Sequence, residues 1–345
     1  KKAARYGVDK KHYFPMKNKD LAKKNMGIDP DKIIIGMVGK NQPRKLMAEL
    51  ILMFKYVADK HPNTMLYIHS AFPEKNCWEY PRILDQTGLA NRVLFTYTCK
   101  KCNNFYPSVY KGEAKHCKAC GEFGATIKSP SYEISEDHMN VVFNLMDIYI
   151  QYATSEGAGM PVAEAAYCGL PTIVNFTTAM KDYPETLGSI PIECKENYTY
   201  SEEGFRGWPD NAKCAQVLSS LIDKGKKYLV EFGHESMGLA HKNYNWDRVV
   251  SVWVDAIESI PPKNRWGDPA NILQPIEDSD NLDEFGLFNI FQDYLGINDP
   301  YNLLRICRRI LNKSALHMNN LISEESKESL IESINKYIEQ HNIIE

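Results

Sequence analysis

No apolar run in this 345-residue chain approaches the ~18 residues that a membrane-crossing helix needs. The first residues, Lys1 to Gly7, are basic and lack the apolar segment of a secretory signal. Charge of one sign is also scarce: the net charge is −3, so no global field draws the chain to nucleic acid or anionic lipid. No internal repeat is present, which sets aside a stacked-repeat architecture. What remains, with 43% hydrophobic and 25% charged residues, is the composition of a globular protein with one large domain or two modest ones.

Short apolar runs recur at Ile33 to Val38, Met65 to His69, Val93 to Tyr97, Ile148 to Tyr152 and Thr172 to Val174, with Ser189 to Ile192 a further candidate. They alternate with helical patterns, the first over Leu46 to Ala58 and another over Val141 to Met146 with Ser135 as cap, which predicts a parallel α/β sheet covered by helices. Three helical stretches follow, at 210–222, 226–241 and 246–257. A Pro-rich break at 261–269 then opens a segment in which, from Glu277 onward, acidic residues outnumber Lys and Arg by 13 to 6. Amphipathic patterns starting at Asp299 and Ser323 make this segment a helical extension, read as 265–345.

The most informative run is Glu156 to Glu164, EGAGMPVAE. It follows a strand pattern and opens a helix. Gly157 and Gly159 permit positive φ and a close backbone approach to a ligand, Pro161 suits the first helical turn, and the free N–H groups there attract anions such as a diphosphate. Met160 stands at the same helix entrance. Glu164 is placed to accept ribose hydroxyls and Glu156 to grip a sugar, each through charge-assisted hydrogen bonds of roughly 1.5–3 kcal/mol. On spacing alone, two solvated carboxylates on a βα connection are the commoner explanation of such a run.

Gly39 to Lys45 (GKNQPRK) follows the first strand and sets Lys40, Arg44 and Lys45 at the carboxyl edge of the sheet, where ligands of open α/β sheets bind. Such a loop taken alone is usually a solvated turn, and Arg44 in particular is free to point to solvent. His69, at the end of the second strand, reads as structural.

Cys99, Cys102, Cys117 and Cys120 form two C-x-x-C pairs separated by 14 residues, one short of the ~15–20 spacing of a four-cysteine zinc site. Two such turns complete a closed tetrahedral shell, with no open position for chemistry. Disulfides are the competing explanation. The scattered Cys77, Cys168, Cys194, Cys214 and Cys307 argue for a reducing, cytoplasmic compartment and hence for structural zinc. The lysines and aromatics between the pairs also suit a nucleic-acid ribbon, a weaker reading because ribbon cores use both residue types; nucleic acid is not the expected partner.

The run from Glu156 through Ala165 to Pro171 resembles the E-x7-E and following C-G-L-P of retaining glycosyltransferases of family 4, which have the GT-B fold. Further segments agree in order. Gly7 to Asp9 with Phe14 and Pro15 is similar to the family's interdomain connection, Ile33 to Lys40 with Arg44 and Lys45 to its first donor-domain strand and basic loop, and Asn245 with Trp246 to a late helix start. The resemblance implies a Rossmann-like sheet that is the C-terminal half of a GT-B fold, with residues 1–30 as connection and 31–260 as the nucleotide-sugar-binding domain. It implies a UDP-, GDP- or ADP-linked donor, a saccharide or other acceptor, catalysis by Lys45 and Glu156, and no catalytic metal. Lys40 replaces the family's usual arginine and loses its planar fork. The cysteine insert, 98–128, stands where the family has a short loop. The chain does not begin with Met, and the resemblance implies an acceptor-binding domain preceding it. A non-catalytic binding module derived from the same fold is the alternative, and a sugar-nucleotide isomerase or phosphorolytic relative a more distant one.

Overall fold

Six consecutive apolar residues, Ile33–Val38, form β1, and all six are buried. Ile33, Ile35 and Met37 point into one core and Ile34 and Val38 into the other, as in a strand covered on both faces. The computed structural model describes residues 5–73, 75–127, 134–199 and 204–260, all within one compact unit. The helical patterns read at Asp299 and Ser323 lie outside the described residues.

Parallel strands β2 (Thr64–His69), β3 (Val93–Cys99), β7 (Ile148–Gln151), β8 (Thr172–Asn175) and β9 (Ile190–Ile192) complete the central sheet in the order β3-β2-β1-β7-β8-β9. The chain first builds outward from β1 to β3, then crosses back to β7 on the other side of β1. The carboxyl ends of β1 and β7 therefore flank the topological switch point, the crevice where such sheets bind ligands.

Helices α2 (Met47–Lys60), α3 (Tyr80–Thr87) and α7 (Asn211–Asp223) cover one face through residues such as Phe54, Leu84 and Leu218. The other face carries α4 (Glu136–Asn144) and α5 (Met160–Tyr167), which bury Phe143, Val162 and Ala166 against Ile34, Tyr149 and Val174. Each such buried aliphatic or aromatic side chain contributes about 1.5–3 kcal/mol. Gly36 of β1 admits the Met146 side chain, in the turn between α4 and β7: a Cβ there would stand 2.0 Å from Met146 Sδ. Ser135 caps α4 by accepting from His138 N, as its position in the sequence suggests.

Residues 5–30 pack on this unit. Val8 N donates to Tyr244 O across 2.8 Å, while Phe14 N and Met16 N donate to the side chains of Asn140 and Asn144. α1 (Lys19–Asn25) and α6 (Tyr183–Leu187) are additions to the sequence reading. α8 (Gly225–Asn243) and α9 (Trp246–Glu258) close the unit, with Asn245 capping α9.

The sheet is mixed rather than wholly parallel. β4 (Asn104–Val109) pairs antiparallel with β3 over Leu94 to Cys99, and on the other side of β3, beyond the last β2 partner at Phe95, β6 (Phe123–Ile127) pairs antiparallel with Tyr97 to Cys99; β5 (Ala114–His116) pairs with β6. A separate hairpin, β10 (Cys194–Thr199) with β11 (Gly204–Pro209), stands where the sequence reading moves directly from sheet to helices. Its strands are mostly solvated and carry Lys195, Glu196 and Asn197, so no apolar alternation betrays them.

Candidate functional site

Three backbone turns at the carboxyl edge bring the predicted residues together. The loop after β1 is anchored on Trp78, whose N and O bond the Asn41 amide and whose Nε1 donates to Gln42 O. It then makes a tight turn over Pro43–Lys45, ending in Leu46 at φ 44°, a left-handed conformation that a buried leucine adopts only under constraint. The loop after β7 is tied to it by Thr154 N, which donates to Arg44 O across 2.8 Å. The third turn is the 3₁₀ segment Thr178–Asp182; Thr178, at φ 47°, accepts the Glu156 N–H on its hydroxyl at 2.9 Å.

Glu156 is the centre of this arrangement. Lys45 Nζ donates to its Oε1, Arg44 Nη1 donates to its Oε2 at 2.9 Å, and Gln151 Nε2 donates to Oε1 at 2.7 Å. Gln151 is held in turn by the hydroxyl of Tyr149. The side chains of Glu156 and Lys45 are 4% and 8% exposed, so this is a buried ion pair with a second cation at its rim. Burial pulls the Lys45 ammonium down from its ordinary value, and Glu156 offsets part of that fall. Two cations against one carboxylate leave a net positive charge at the switch point.

Arg44 does not point to solvent. Its guanidinium also donates to Ser155 O at 2.8 Å. Lys40 is exposed and makes no ion pair among the described residues.

At the entrance to α5, Gly159 takes φ 64° as the residue before the helix, as its glycine predicts. Gly157 does not use positive φ; a Cβ there would meet nothing within 4 Å, so the space above it is open. Met160 is exposed at the rim. Tyr183 donates to Ala158 O and Gly159 O and shares a hydrogen bond with Tyr6. The loop carbonyls are thereby drawn back into protein, while Gly157, Ala158 and Met160 are exposed at the start of α5. Glu164 lies one turn inside α5; burial, with a smaller contribution from Glu136, raises its carboxyl to about 7. Among the described residues it has no hydrogen-bond partner.

Sequence reasoning missed Gln151, Tyr183 and Tyr6. The first sits inside an apolar strand and reads as a core exception; the other two come from distant segments and carry no local signal. His69 is buried, with Nδ1 2.8 Å from Thr96 Oγ1, in keeping with a structural role.

The folding pattern has known counterparts. Sucrose-phosphate synthase from Thermosynechococcus elongatus is similar with a TM-score of 0.52 and 15% identity, over 74% of this chain and 52% of that one. HepE of Anabaena in complex with UDP-glucose gives 0.52 and 13%, over 74% and 56%. WaaG, a glycosyltransferase involved in lipopolysaccharide biosynthesis, gives 0.50 and 14%, over 75% and 56%. The fold is that of the Rossmann-like domain of GT-B glycosyltransferases. The chain spans little more than half the length of these GT-B structures. No protein-family model matches the sequence, and no curated protein does.

The four predicted cysteines converge at the end of β3, their sulfurs all within 4.8 Å of one another. Cys99 and Cys120 sulfurs are 3.8 Å apart and those of Cys102 and Cys117 3.7 Å; a tetrahedron with arms of about 2.3 Å has edges of about 3.8 Å, whereas a disulfide needs about 2.05 Å. All the described cysteines are free thiols. Backbone N–H groups of Cys102 and Lys101 point at the Cys99 sulfur and hold its thiol down to about 7; Ala119 N donates to Cys117 Sγ. The N–H groups favour a thiolate at Cys99, while burial pushes the Cys102 thiol up to about 12. Two aromatic residues of the insert serve its core: Phe105 and Tyr106 are buried, whereas Phe123 is exposed, and Lys115 Nζ sits 3.5 Å from the Tyr97 ring centroid. That arrangement favours a ribbon core over a nucleic-acid surface.

Proposed function

We propose that this chain is the donor-binding half of a glycosyltransferase that takes a sugar from a UDP-, GDP- or ADP-linked donor and transfers it with retention. The observation that carries the reading is the Lys45–Glu156–Arg44 cluster at the switch point, where the loop after β7 leads into α5. A diphosphate at the start of that helix is met by Lys45 and Arg44, which stabilise negative charge as it develops. On its arrival Lys45 turns from Glu156 to the phosphate, and the released carboxylate accepts sugar hydroxyls. Glu164 takes the ribose.

In the transfer step the bond between the anomeric carbon and the diphosphate oxygen breaks, its electron pair leaving with the diphosphate. The acceptor oxygen bonds to the same face of the sugar, and its proton passes to the departing phosphate. Lys45 and Arg44 hold the leaving group; Glu156 holds the ring. The saccharide or other acceptor would be bound by a second domain.

A structural zinc ion on Cys99, Cys102, Cys117 and Cys120 completes the reading. When bound it would supply a closed tetrahedral cross-link, with no catalytic position.

Incubation of the protein, joined to its acceptor domain, with a panel of nucleotide sugars tests the proposal. Release of nucleoside diphosphate that is abolished in Lys45→Ala supports it. Binding without turnover supports the non-catalytic module instead.

A further inference from the structure

The β10–β11 hairpin is bonded directly to the loops that carry the charge cluster. Gly207 N donates to Thr154 O across 2.9 Å, and Thr154 N donates to Arg44 O across 2.8 Å. Gly207 lacks a side chain where none fits: a Cβ there would stand 2.6 Å from Thr177 Cβ. Thr178, the next residue, accepts the Glu156 N–H at 2.9 Å. The base of the hairpin is thereby fixed against both segments that position Glu156.

Alternate residues of a strand share a face. Tyr198 pairs with Phe205 and Glu196 with Gly207, so both aromatic rings stand on the face that Gly207 turns toward Thr177, about 7 Å further out. The rings lie 5.4 Å apart at 82° and are 60% and 63% exposed. An aromatic pair this open, on a ribbon whose other exposed residues are mostly polar, serves no core. Between the rings and the Glu156 loop lies the Lys181–Glu196 ion pair at 2.9 Å, with both side chains about half exposed. Outward from Glu156 the surface therefore offers an ammonium and a carboxylate, then two ring faces.

A pyranose has C–H groups on its faces and hydroxyls around its rim. The faces pack on aromatic rings and the hydroxyls bond charged groups. Size points the same way: two rings of ~150–250 Å² each, open to this degree, present roughly 200–300 Å², well short of the ~800 Å² per partner of a stable protein interface. We propose that the hairpin is a platform for a saccharide acceptor, which stacks on Tyr198 and Phe205 and sets hydroxyls on Lys181 and Glu196. The proposal rests on the glycosyltransferase reading above and names the class of acceptor, which the donor loops leave open.

Binding of the full 345-residue chain to a microarray of hexose, N-acetylhexosamine and uronic-acid oligosaccharides tests it, with Tyr198→Ala, Phe205→Ala and Phe205→Tyr alongside. The same proteins and Lys45→Ala are titrated with UDP, GDP and ADP. The platform predicts that at least one saccharide class binds wild type and Phe205→Tyr, and that either alanine variant weakens it about tenfold, the scale of a lost ring contact. Urea unfolding and nucleoside diphosphate affinity should not change in the alanine variants. If no saccharide binds, or the alanine variants bind it like wild type, the platform is overturned; the donor site still stands if Lys45→Ala weakens a nucleotide that wild type binds. A chain that binds no saccharide but self-associates in sedimentation through the two rings makes them a protein contact and also overturns the platform. If no nucleoside diphosphate binds, the donor-site reading falls and the acceptor assignment with it.

Discussion

Lys45 donates directly to the carboxylate of Glu156, so the cation proposed for the diphosphate and the carboxylate proposed for the sugar neutralise one another before any donor arrives. The pair makes two buried charges tolerable. It also couples the two halves of donor recognition, because a phosphate that captures Lys45 releases Glu156.

The pair has a stability signature. Glu156→Ala leaves the Lys45 ammonium buried without a partner, and breaking a buried pair in this way costs about 3–5 kcal/mol. Urea unfolding should show that loss in Glu156→Ala. The double variant Lys45→Met, Glu156→Gln should recover most of it, since it removes both charges.

Glu164 makes the site pH-dependent. Its carboxyl titrates near 7, above its ordinary 4.5, so the folded state holds its proton more tightly than the unfolded chain. The stability this provides is complete below about pH 4.5 and is lost as pH rises through about 7. Ribose binding needs the charged acceptor, so nucleoside diphosphate affinity should move the opposite way and rise through the same range. Glu164→Gln should flatten both profiles and weaken the nucleotide by about tenfold, the equivalent of ~1.5 kcal/mol.

The cysteine cluster should hold one zinc ion per chain by metal analysis. Chelation, or Cys102→Ser, should increase hydrogen exchange in β4, β5 and β6 while leaving β1 and β7 protected.

Gly36 is required by packing rather than by turn geometry. Gly36→Ala sets a methyl group against the buried Met146 side chain and should cost about 1–3 kcal/mol in urea unfolding. Met146→Ala in the same chain should relieve part of that cost by opening the space.

Much of this arrangement is legible in the sequence. The all-apolar run at Ile33–Val38 and the E-x7-E run are local signals, and local signals place β1, β7, α5 and the loops between them. The four cysteines announce their convergence through spacing alone. What is not legible comes from contacts between distant segments. Gln151 looks like an interruption in an apolar strand until Glu156 folds back onto it, and Arg44 reads as a solvated cation until Thr154 joins its loop to the end of β7. Tyr6 and Tyr183, 177 positions apart in the chain, meet over Gly159. The β10–β11 hairpin escapes for a different reason: strands solvated on most of their surface need no hydrophobic period.

The most direct test of the account is a crystal structure of the chain with the tightest-binding member of a UDP-, GDP- and ADP-linked sugar panel. The account predicts Lys45 Nζ on the diphosphate, Glu156 on sugar hydroxyls with their mutual ion pair broken, and Glu164 on the ribose. A donor bound elsewhere, or bound with the Lys45–Glu156 pair intact, would contradict it.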